Sequence, residues 1–248
     1  MFQDQSNLKS KIDARRLHKI ATKTIKSADY VYSFGGHIDE ILKDLYVEGN
    51  RILLQMNGIA SDWISPKELS LKQCRRFIFI GRDERRKGII ELNEAVKNLV
   101  KANADFSVDF IGPISKELEQ FEQVTYHGVI KDKNKLIELL DNSDCLLCPS
   151  YSEGMPTVIA EAMARGCAII ATDVGAVSRQ FAENGVLLES SDPKKISDAM
   201  LYLMNKSPEE FLELRKKSIK KASDEFTWER IVQTKIEQFK KILNSEPI

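Results

Sequence analysis

FIFIGRDERRKGIIELNEAVKNLVKANADFSVDFIG, residues 77–112, contains one complete unit of alternating strand and helix patterns. Its two ends, FIFIG and SVDFIG, are short apolar runs that indicate buried strands. Between them, apolar residues recur at helical spacing, at Ile89, Leu92, Val96 and Leu99. A strand, a helix and a second strand of these lengths predict a right-handed βαβ unit with parallel strands.

The same alternation continues along the chain to residue 189. Four more apolar runs predict strands, VTYHG, CLLCPS, AIIAT and GVLLE, with helices predicted at NKLIELLDN, at PTVIAEAMARG and around residues 116–121. Three helices are predicted to follow, beginning at Pro193, Pro208 and Phe226. We therefore predict an α/β fold, a Rossmann-like parallel sheet with helices on both faces.

The first 60 residues carry fewer elements than such a domain needs. Their pattern predicts a helix, a strand, a helix and a strand, at residues 12–28, 29–34, 37–47 and 51–55. Two strands are too few for a stable layer of their own. We expect residues 1–60 to be the tail of a separate domain and residues 61–248 to form the main one.

Composition and charge exclude several classes of protein. Of 248 residues, 37 are Lys or Arg and 37 are Asp or Glu, so no net field attracts nucleic acid. The first residues, MFQDQSNLKSK, lack the apolar segment of a signal peptide, and no run is long enough to span a membrane. Cys145 and Cys148 lie three apart on a predicted strand and face opposite ways, which predicts buried free thiols in a reducing cytoplasm.

In a sheet of this kind, ligands bind beyond the carboxyl ends of the strands, so the residues that follow each strand are the candidates. FIFIG is followed by Arg82 and then by Lys87 and Gly88, where a helix begins. Two cations and a helix N-terminus make a diphosphate site, although for this loop alone a charged surface loop is the favoured interpretation. The loop has no G-x-G-x-x-G pattern, which argues against a nicotinamide or flavin dinucleotide.

The run after CLLCPS offers a second anion-binding helix terminus at the same edge of the sheet. Pro156 is predicted at the first helical position, and the amides of Gly154, Met155 and Thr157 would lie near the positive helix end. Gly154 would also let the backbone approach a ligand closely.

Glu161 is a lone acid on a helix, VIAEAMARG, that is otherwise small and apolar. Such a helix is predicted to be buried, and an unpaired buried carboxylate is costly. Glu161 therefore needs a donor, and the residues alone leave three alternatives open. The donor is a buried arginine, water at an exposed edge, or the ribose hydroxyls of a ligand.

The order and spacing of these pieces resemble the group 1 (family 4) retaining glycosyltransferases. The motif SEGMPTVIAEAMARG, in which seven residues separate Glu153 from Glu161, is similar to their signature. IGRDERRKG resembles their diphosphate loop, HGVI at residues 127–130 their base-contacting turn, and FTWE at residues 226–229 their closing helix start. ADYV and MNGI in the first 60 residues also match, so the resemblance covers nearly the whole chain.

The resemblance implies a GT-B fold, with two Rossmann-like domains facing across a cleft. Residues 61–248 would be the nucleotide-sugar-binding domain, ending in a crossover helix, and residues 1–60 the tail of the N-terminal acceptor domain. It also implies roles for particular residues: Arg82 and Lys87 on the diphosphate, Glu161 on the ribose, Ile130 framing the base, Glu153 as the catalytic candidate at the donor sugar, and backbone contacts from Gly154, Met155, Pro156 and Thr157. No cofactor or metal is implied beyond a UDP-, GDP- or ADP-linked donor.

Two features depart from that family. Residues 175–178 read GAVS where the family often has G-G-x-P-E, so one loop near the expected donor differs from the family. Only the end of the N-terminal domain matches, and His18 and His37 do not correspond to its catalytic histidine. We expect these two histidines to lie on the surface or on a helix face.

Three functional hypotheses follow. The first is a glycosyltransferase acting on a glycan or lipid-linked acceptor in polysaccharide biosynthesis, incomplete on its own. The second is a non-catalytic donor-binding subunit of a split enzyme, and the third is another GT-B enzyme such as an epimerase, against which the Glu153 and Glu161 spacing argues. We expect a cytoplasmic protein, peripheral at the inner membrane face, whose incomplete first domain exposes apolar surface for a partner chain or self-association.

We expect nucleotide binding to be independent of metal ions. No Asp-x-Asp follows a core strand, and Arg82 with Lys87 can supply the positive charge. Affinity measured by calorimetry should stay the same after treatment with EDTA. A strong loss of donor affinity in EDTA would contradict this expectation.

Overall fold

The computed structural model describes residues 8–114, 118 and 120–244. The strands are β1 (Val31–Ser33), β2 (Ile52–Leu54), β3 (Arg76–Ile80), β4 (Ser107–Ile111), β5 (Val124–Gly128), β6 (Cys145–Cys148), β7 (Ala168–Thr172) and β8 (Gly185–Leu188). The helices are α1 (Leu8–Ser27), α2 (His37–Asp44), α3 (Ile89–Lys101), α4 (Lys133–Asn142), α5 (Thr157–Ala164), α6 (Val177–Gln180), α7 (Pro193–Met204), α8 (Pro208–Glu225) and α9 (Trp228–Asn244).

Six strands form one parallel sheet in the order β5-β4-β3-β6-β7-β8. The order reverses direction between β3 and β6, which are neighbours in the sheet although 64 residues separate Ile80 from Cys145 along the chain. The predicted α/β class and parallel sheet are confirmed. A change of strand order of this kind leaves a crevice at the carboxyl ends of the two central strands.

The core consists of two apolar layers, one on each face of the sheet. Along β3, Phe77 and Phe79 belong to one layer and Ile78 to the other, as the alternation of side chains in a strand requires. Cys145 and Cys148 also lie in opposite layers, and both are free and buried. The prediction of buried thiols on opposite faces is confirmed.

The N-terminal segment contains a separate two-stranded parallel sheet of β1 and β2. It meets the C-terminal helices where Ile59 N–H donates to the Phe226 carbonyl at 2.8 Å and Trp228 N–H donates to the Ile59 carbonyl at 3.0 Å. Along α9, Gln238 donates to the Leu54 carbonyl at 3.4 Å. The proposed division at residue 60 stays a prediction, because these contacts tie the two segments together without marking a boundary.

Apolar side chains remain exposed around this small sheet, as the sequence predicts. They lie on α1, on and near β1 and α2, and along α9: Leu17, Ile20, Tyr30, Tyr32, Ile41, Tyr46, Val232, Ile236, Phe239 and Leu243. Helix α9 covers part of the strands, where Lys235 Nζ lies 4.9 Å from the centre of the Tyr32 ring. In the part of the chain that the structure describes, no helix is long and apolar enough to cross a membrane.

Several element boundaries differ from the sequence prediction. Pro156 is the N-cap of α5 in an extended conformation, so Thr157 and not Pro156 is the first helical residue. The last helix begins at Trp228 instead of Phe226, because the Phe226 amide caps α8 by donating to the Ala222 carbonyl. The short helix α6 was not predicted.

The helix predicted around residues 116–121 falls largely outside the described residues, which omit 115–117 and 119. The neighbouring described residues 118, 120 and 121 are not helical.

A buried ion pair lies near the amino ends of β6 and β7, opposite the crevice. Arg165 donates from Nε to Asp141 Oδ1 at 2.6 Å and from Nη2 to Oδ2 at 2.9 Å. Burial alone would raise the pKa of Asp141, but the hydrogen bonds from Arg165 and Lys67 outweigh it and hold that pKa below its usual value. This bidentate pair links α4 to the end of α5.

Candidate functional site

A cavity of about 350 Å³ opens at the carboxyl ends of the central strands. Its lining residues come from the ends of β3 and β4, the turn after β5, and the two loops that follow β3 and β6: Ile80, Gly81, Arg82, Arg86, Lys87, Ile111, Gly112, Val129, Ile130, Glu153, Pro156, Thr157 and Val158. Of the residues predicted for the site, six line this cavity: Arg82, Lys87, Ile130, Glu153, Pro156 and Thr157. Gly154, Met155 and Glu161 do not.

The loop after β3, residues 81–88, turns tightly against the loop after β6. Residues 85–87 form a single 3₁₀ turn, and Gly88 follows it in the left-handed region with φ of 70°. A Cβ at this position would overlap the carbonyl oxygen of Pro149. Only glycine permits both the conformation and the close approach, which brings Lys87 opposite the second loop.

Lys87 and Glu153 form an ion pair across the cavity. Lys87 Nζ lies 2.6 Å from Glu153 Oε1, and the two side chains are 15% and 7% exposed. Ser150 Oγ donates to the same oxygen at 2.7 Å, and Arg86 Nη1 lies 3.5 Å from Glu153 Oε2. Glu153 therefore has cationic and hydroxyl partners, which compensate for the desolvation of its carboxylate.

The two arginines of the first loop share a second carboxylate, Glu84. Arg86 Nε donates to Glu84 Oε2 at 2.6 Å, and Arg82 Nη1 donates to Oε1 at 3.3 Å. Desolvation would raise the pKa of Glu84, but Arg86 and Arg82 together hold it below the usual value. Each of the three cations that line the cavity thus has a carboxylate partner.

The sequence prediction missed Arg86 and Glu84. Both lie in the run RDERRK at residues 82–87, but spacing alone did not show which of its charges face the strand ends. The 3₁₀ turn over residues 85–87 decides this, because it directs Arg86 and Lys87 into the cavity while Arg85 points elsewhere.

Gly154 and Met155 face the N-terminal segment and the loop after β7. The Gly154 carbonyl accepts from Ala176 N–H at 2.8 Å, and the Met155 carbonyl accepts from the Asn57 side chain at 2.8 Å. The Met155 side chain is buried and its sulfur accepts from Asn57 N–H. Their predicted backbone contacts to a ligand stay predictions.

Glu161 lies on α5 one turn beyond Thr157 and is half-buried. Burial raises its pKa above the usual value. Among the described residues no hydrogen-bond donor faces its carboxylate, and the buried Arg165 pairs with Asp141 instead. The sequence left three alternatives open for the donor to Glu161. The structure does not support the first of them, because no arginine within the described chain pairs with Glu161.

The histidines lie at the margins of the cavity or away from it. His127 at the end of β5 has Nε2 2.6 Å from Asp109 Oδ1. His18 is exposed on α1, and His37 is about half exposed at the start of α2. A hydrogen bond to Glu40 and the nearby Asp173 carboxylate raise the pKa of His37. Within the described residues, no group of three or more His, Cys, Asp or Glu could hold a metal ion.

Comparison with known proteins supports this description. The family model described as glycosyl transferases group 1 matches residues 62–225. The uncharacterized glycosyltransferase MJ1178 of Methanocaldococcus jannaschii is 30% identical over 250 residues, covering 91% of this chain and 62% of the relative. The putative teichuronic acid biosynthesis glycosyltransferase TuaC of Bacillus subtilis is 39% identical over 124 residues, covering 49% of this chain and 31% of the relative.

Solved structures share the same architecture. Sucrose-phosphate synthase from Thermosynechococcus elongatus aligns with a TM-score of 0.76 at 20% identity, covering 99% of this chain and 65% of that one. Anabaena Alr3699/HepE in complex with UDP-glucose aligns with a TM-score of 0.71 at 15% identity, covering 92% of this chain and 67% of that one.

The six-stranded parallel sheet with helices on both faces has the fold of the GT-B glycosyltransferase class. Within that class, the chain belongs to the group 1 glycosyl transferase family, because the family model matches 164 of its 248 residues. It spans less than two thirds of the length of MJ1178 and about a third of TuaC.

We expect Glu161→Gln to weaken nucleotide binding without loss of stability. The change would remove the charged acceptor that the resemblance assigns to the ribose hydroxyls, worth about 1.5–3 kcal/mol or roughly 10- to 150-fold in affinity. Because burial raises the pKa of Glu161, the ionised carboxylate destabilises the folded state at neutral pH, and the glutamine removes that cost.

Calorimetry with a bare nucleoside diphosphate and thermal unfolding measure the two effects separately. Glu225→Gln is the control, since Glu225 pairs with Lys221 on α8, away from the cavity. Unchanged affinity in the Glu161 variant would exclude the proposed ribose contact.

Proposed function

We propose that this chain carries the donor-binding half of a glycosyltransferase, which transfers a sugar from a nucleoside-diphosphate sugar to an acceptor in glycan or polysaccharide biosynthesis. The observation that carries the proposal is the cavity at the sheet's switch point, where Arg82, Arg86 and Lys87 converge. Three cations on one loop, next to a helix start, match the charge and size of a diphosphate.

The diphosphate would replace the carboxylates that now hold these cations. Lys87 would release Glu153, and Arg82 with Arg86 would release Glu84, so the protein exchanges internal ion pairs for ligand contacts. The cations would then stabilise the charge that develops on the leaving nucleoside diphosphate, without a metal ion.

The remaining roles follow the resemblance and the lining of the cavity. Glu153, freed from Lys87, would face the donor sugar as the catalytic candidate, and transfer would retain the anomeric configuration as in family 4. Ile130 would frame the base, Glu161 would bind the ribose, and Gly154, Met155, Pro156 and Thr157 would contribute backbone contacts. Pro156 and Thr157 line the cavity, which supports their part of this assignment.

The donor and acceptor classes are narrower proposals. UDP-, GDP- and ADP-sugars all fit a diphosphate site, and UDP-glucose in the related Anabaena fold supports UDP as the first to test. A glycan or lipid-linked acceptor is supported by TuaC and by a Campylobacter jejuni relative named as a diphospho-undecaprenol N-acetylgalactosaminyltransferase. An acceptor of that kind would place the protein in the cytoplasm, peripheral at the inner membrane face.

The N-terminal segment exposes apolar side chains. The small β1–β2 sheet leaves Tyr30, Tyr32 and the outer face of α9 exposed, which is apolar surface that a partner chain or a second copy would cover. The family match favours a transferase over a non-catalytic donor-binding subunit.

We expect a nucleotide sugar to stabilise the purified chain. At a ligand concentration of 100 times Kd, binding adds about 2.7 kcal/mol, or roughly 5–10 °C in Tm for a chain of this size. A thermal-shift panel of UDP-, GDP- and ADP-sugars tests this, with Lys87→Met as the variant that should show a smaller shift. Absence of a shift with all three nucleotides would contradict the proposed donor site.

We expect the purified chain to bind donor but to transfer sugar poorly by itself. Holding the acceptor oxygen against the anomeric carbon contributes about 7–11 kcal/mol to such reactions, and the described N-terminal segment supplies only two strands for that task. A transfer assay with radiolabelled donor and a crude membrane acceptor, run with light scattering, measures it. Robust turnover by a clean monomer would show that this segment suffices.

A further inference from the structure

Three side chains form a closed hydrogen-bonded cluster beside the cavity without lining it: Arg85, Glu91 and Tyr151. Arg85 Nη1 donates to Glu91 Oε2 at 2.6 Å, and Arg85 Nη2 lies 2.6 Å from Glu91 Oε1. The Tyr151 hydroxyl donates to Glu91 Oε1 at 2.9 Å, and Arg85 stacks on the Tyr151 ring with 4.8 Å between Cζ and the ring centre.

The chemistry of this cluster makes it rigid. A planar guanidinium bound to both oxygens of one carboxylate is the most directional ion pair that side chains form. Glu91 is nearly buried and lies in the first turn of α3, where the helix dipole favours its negative charge. The hydrogen bond to Glu91 raises the pKa of Arg85.

The cluster joins the two loops that carry the ion pair of the cavity. Arg85 lies in the same 3₁₀ turn as Lys87, and Tyr151 is two residues before Glu153. Next to the cluster, Tyr151 N–H donates to the Arg86 carbonyl at 2.7 Å. The distance between the two loops is therefore fixed on one side by this cluster and on the other by Lys87 and Glu153.

We propose that Arg85, Glu91 and Tyr151 are positioning residues, which hold the two loops at the spacing that a diphosphate requires between Lys87 and the start of α5. The proposal rests on the proposed donor site. When the diphosphate displaces Glu153 from Lys87, the ion pair no longer ties the loops together, and this cluster keeps them in place. Its members act through Lys87 and touch no part of the ligand.

The first test is affinity for whichever of UDP, GDP or ADP stabilises the wild-type chain most. Tyr151→Phe removes one hydroxyl and keeps the ring, and Glu91→Gln keeps the shape and removes the charge. Each should weaken nucleotide binding about tenfold, the cost of one hydrogen bond to a charged group. Asp141→Asn is the matched control, because it breaks a bidentate arginine pair of the same kind at the opposite edge of the sheet.

A double-mutant cycle separates positioning from a general loss of stability. In a Lys87→Ala background, Tyr151→Phe should have no further effect on affinity, since the residue through which it acts is gone. An equal loss of affinity in both backgrounds, or a loss as large in Asp141→Asn, would overturn the proposal. If Glu91→Gln fails to fold, Tyr151→Phe at its partly exposed site still decides the question.

A second measurement needs no nucleotide. Hydrogen exchange of the Tyr151 amide, which is bonded to the Arg86 carbonyl, should be faster in Glu91→Gln and unchanged in Asp141→Asn. Unchanged exchange in Glu91→Gln would show that the cluster does not hold the loops. If the wild-type chain binds none of the three nucleotides, the donor site fails, and this exchange rate still tests the loop contact by itself.

Discussion

The ion pair between Lys87 and Glu153 is the contact on which the arrangement of the site depends. It joins two loops that are 66 residues apart in the chain and that meet because β3 and β6 are neighbours in the sheet. A nearly buried pair of charges is stable only if its surroundings supply further partners. Ser150 and Arg86 are such partners of Glu153. The close approach of the two loops at Gly88 brings the pair together, so residues in both loops stabilise this one contact.

Energetically, the site contrasts with the opposite edge of the sheet. Both carboxylate oxygens of Asp141 accept hydrogen bonds from Arg165, and Arg165 also donates to the Trp63 carbonyl. At the edge that carries the cavity, Glu161 is half-buried without a hydrogen-bond donor among the described residues, and burial raises its pKa. A carboxylate kept in such a place costs stability at neutral pH, and sites that bind ligands commonly retain such costs.

The fold was predictable because it follows from local periodicity. The location of the candidate site was predictable because the loops that follow parallel strands meet at one edge of the sheet. The run from β3 to β4 shows both signals. Side-chain partners were not predictable in the same way. Arg86 contacts Glu84 and Glu153 because the 3₁₀ turn directs its side chain toward them. Met155 does not line the cavity, and its carbonyl instead accepts a hydrogen bond from Asn57, which lies 98 residues away in sequence. Such contacts depend on tertiary distances that no spacing rule contains.

The loop where the sequence departs from the family links the N-terminal segment to the loop after β6. The Gly175 carbonyl accepts from His37 N–H at 2.9 Å, and Ala176 N–H donates to the Gly154 carbonyl at 2.8 Å. Gly175 has φ of 60°, and a Cβ there would overlap the Glu153 carbonyl oxygen. Backbone contact therefore requires glycine at position 175, and Val177, which stands where the family often has proline or glutamate, is buried in the core instead. Through this loop, two backbone hydrogen bonds connect the start of α2 to Gly154, which directly follows the residue that pairs with Lys87.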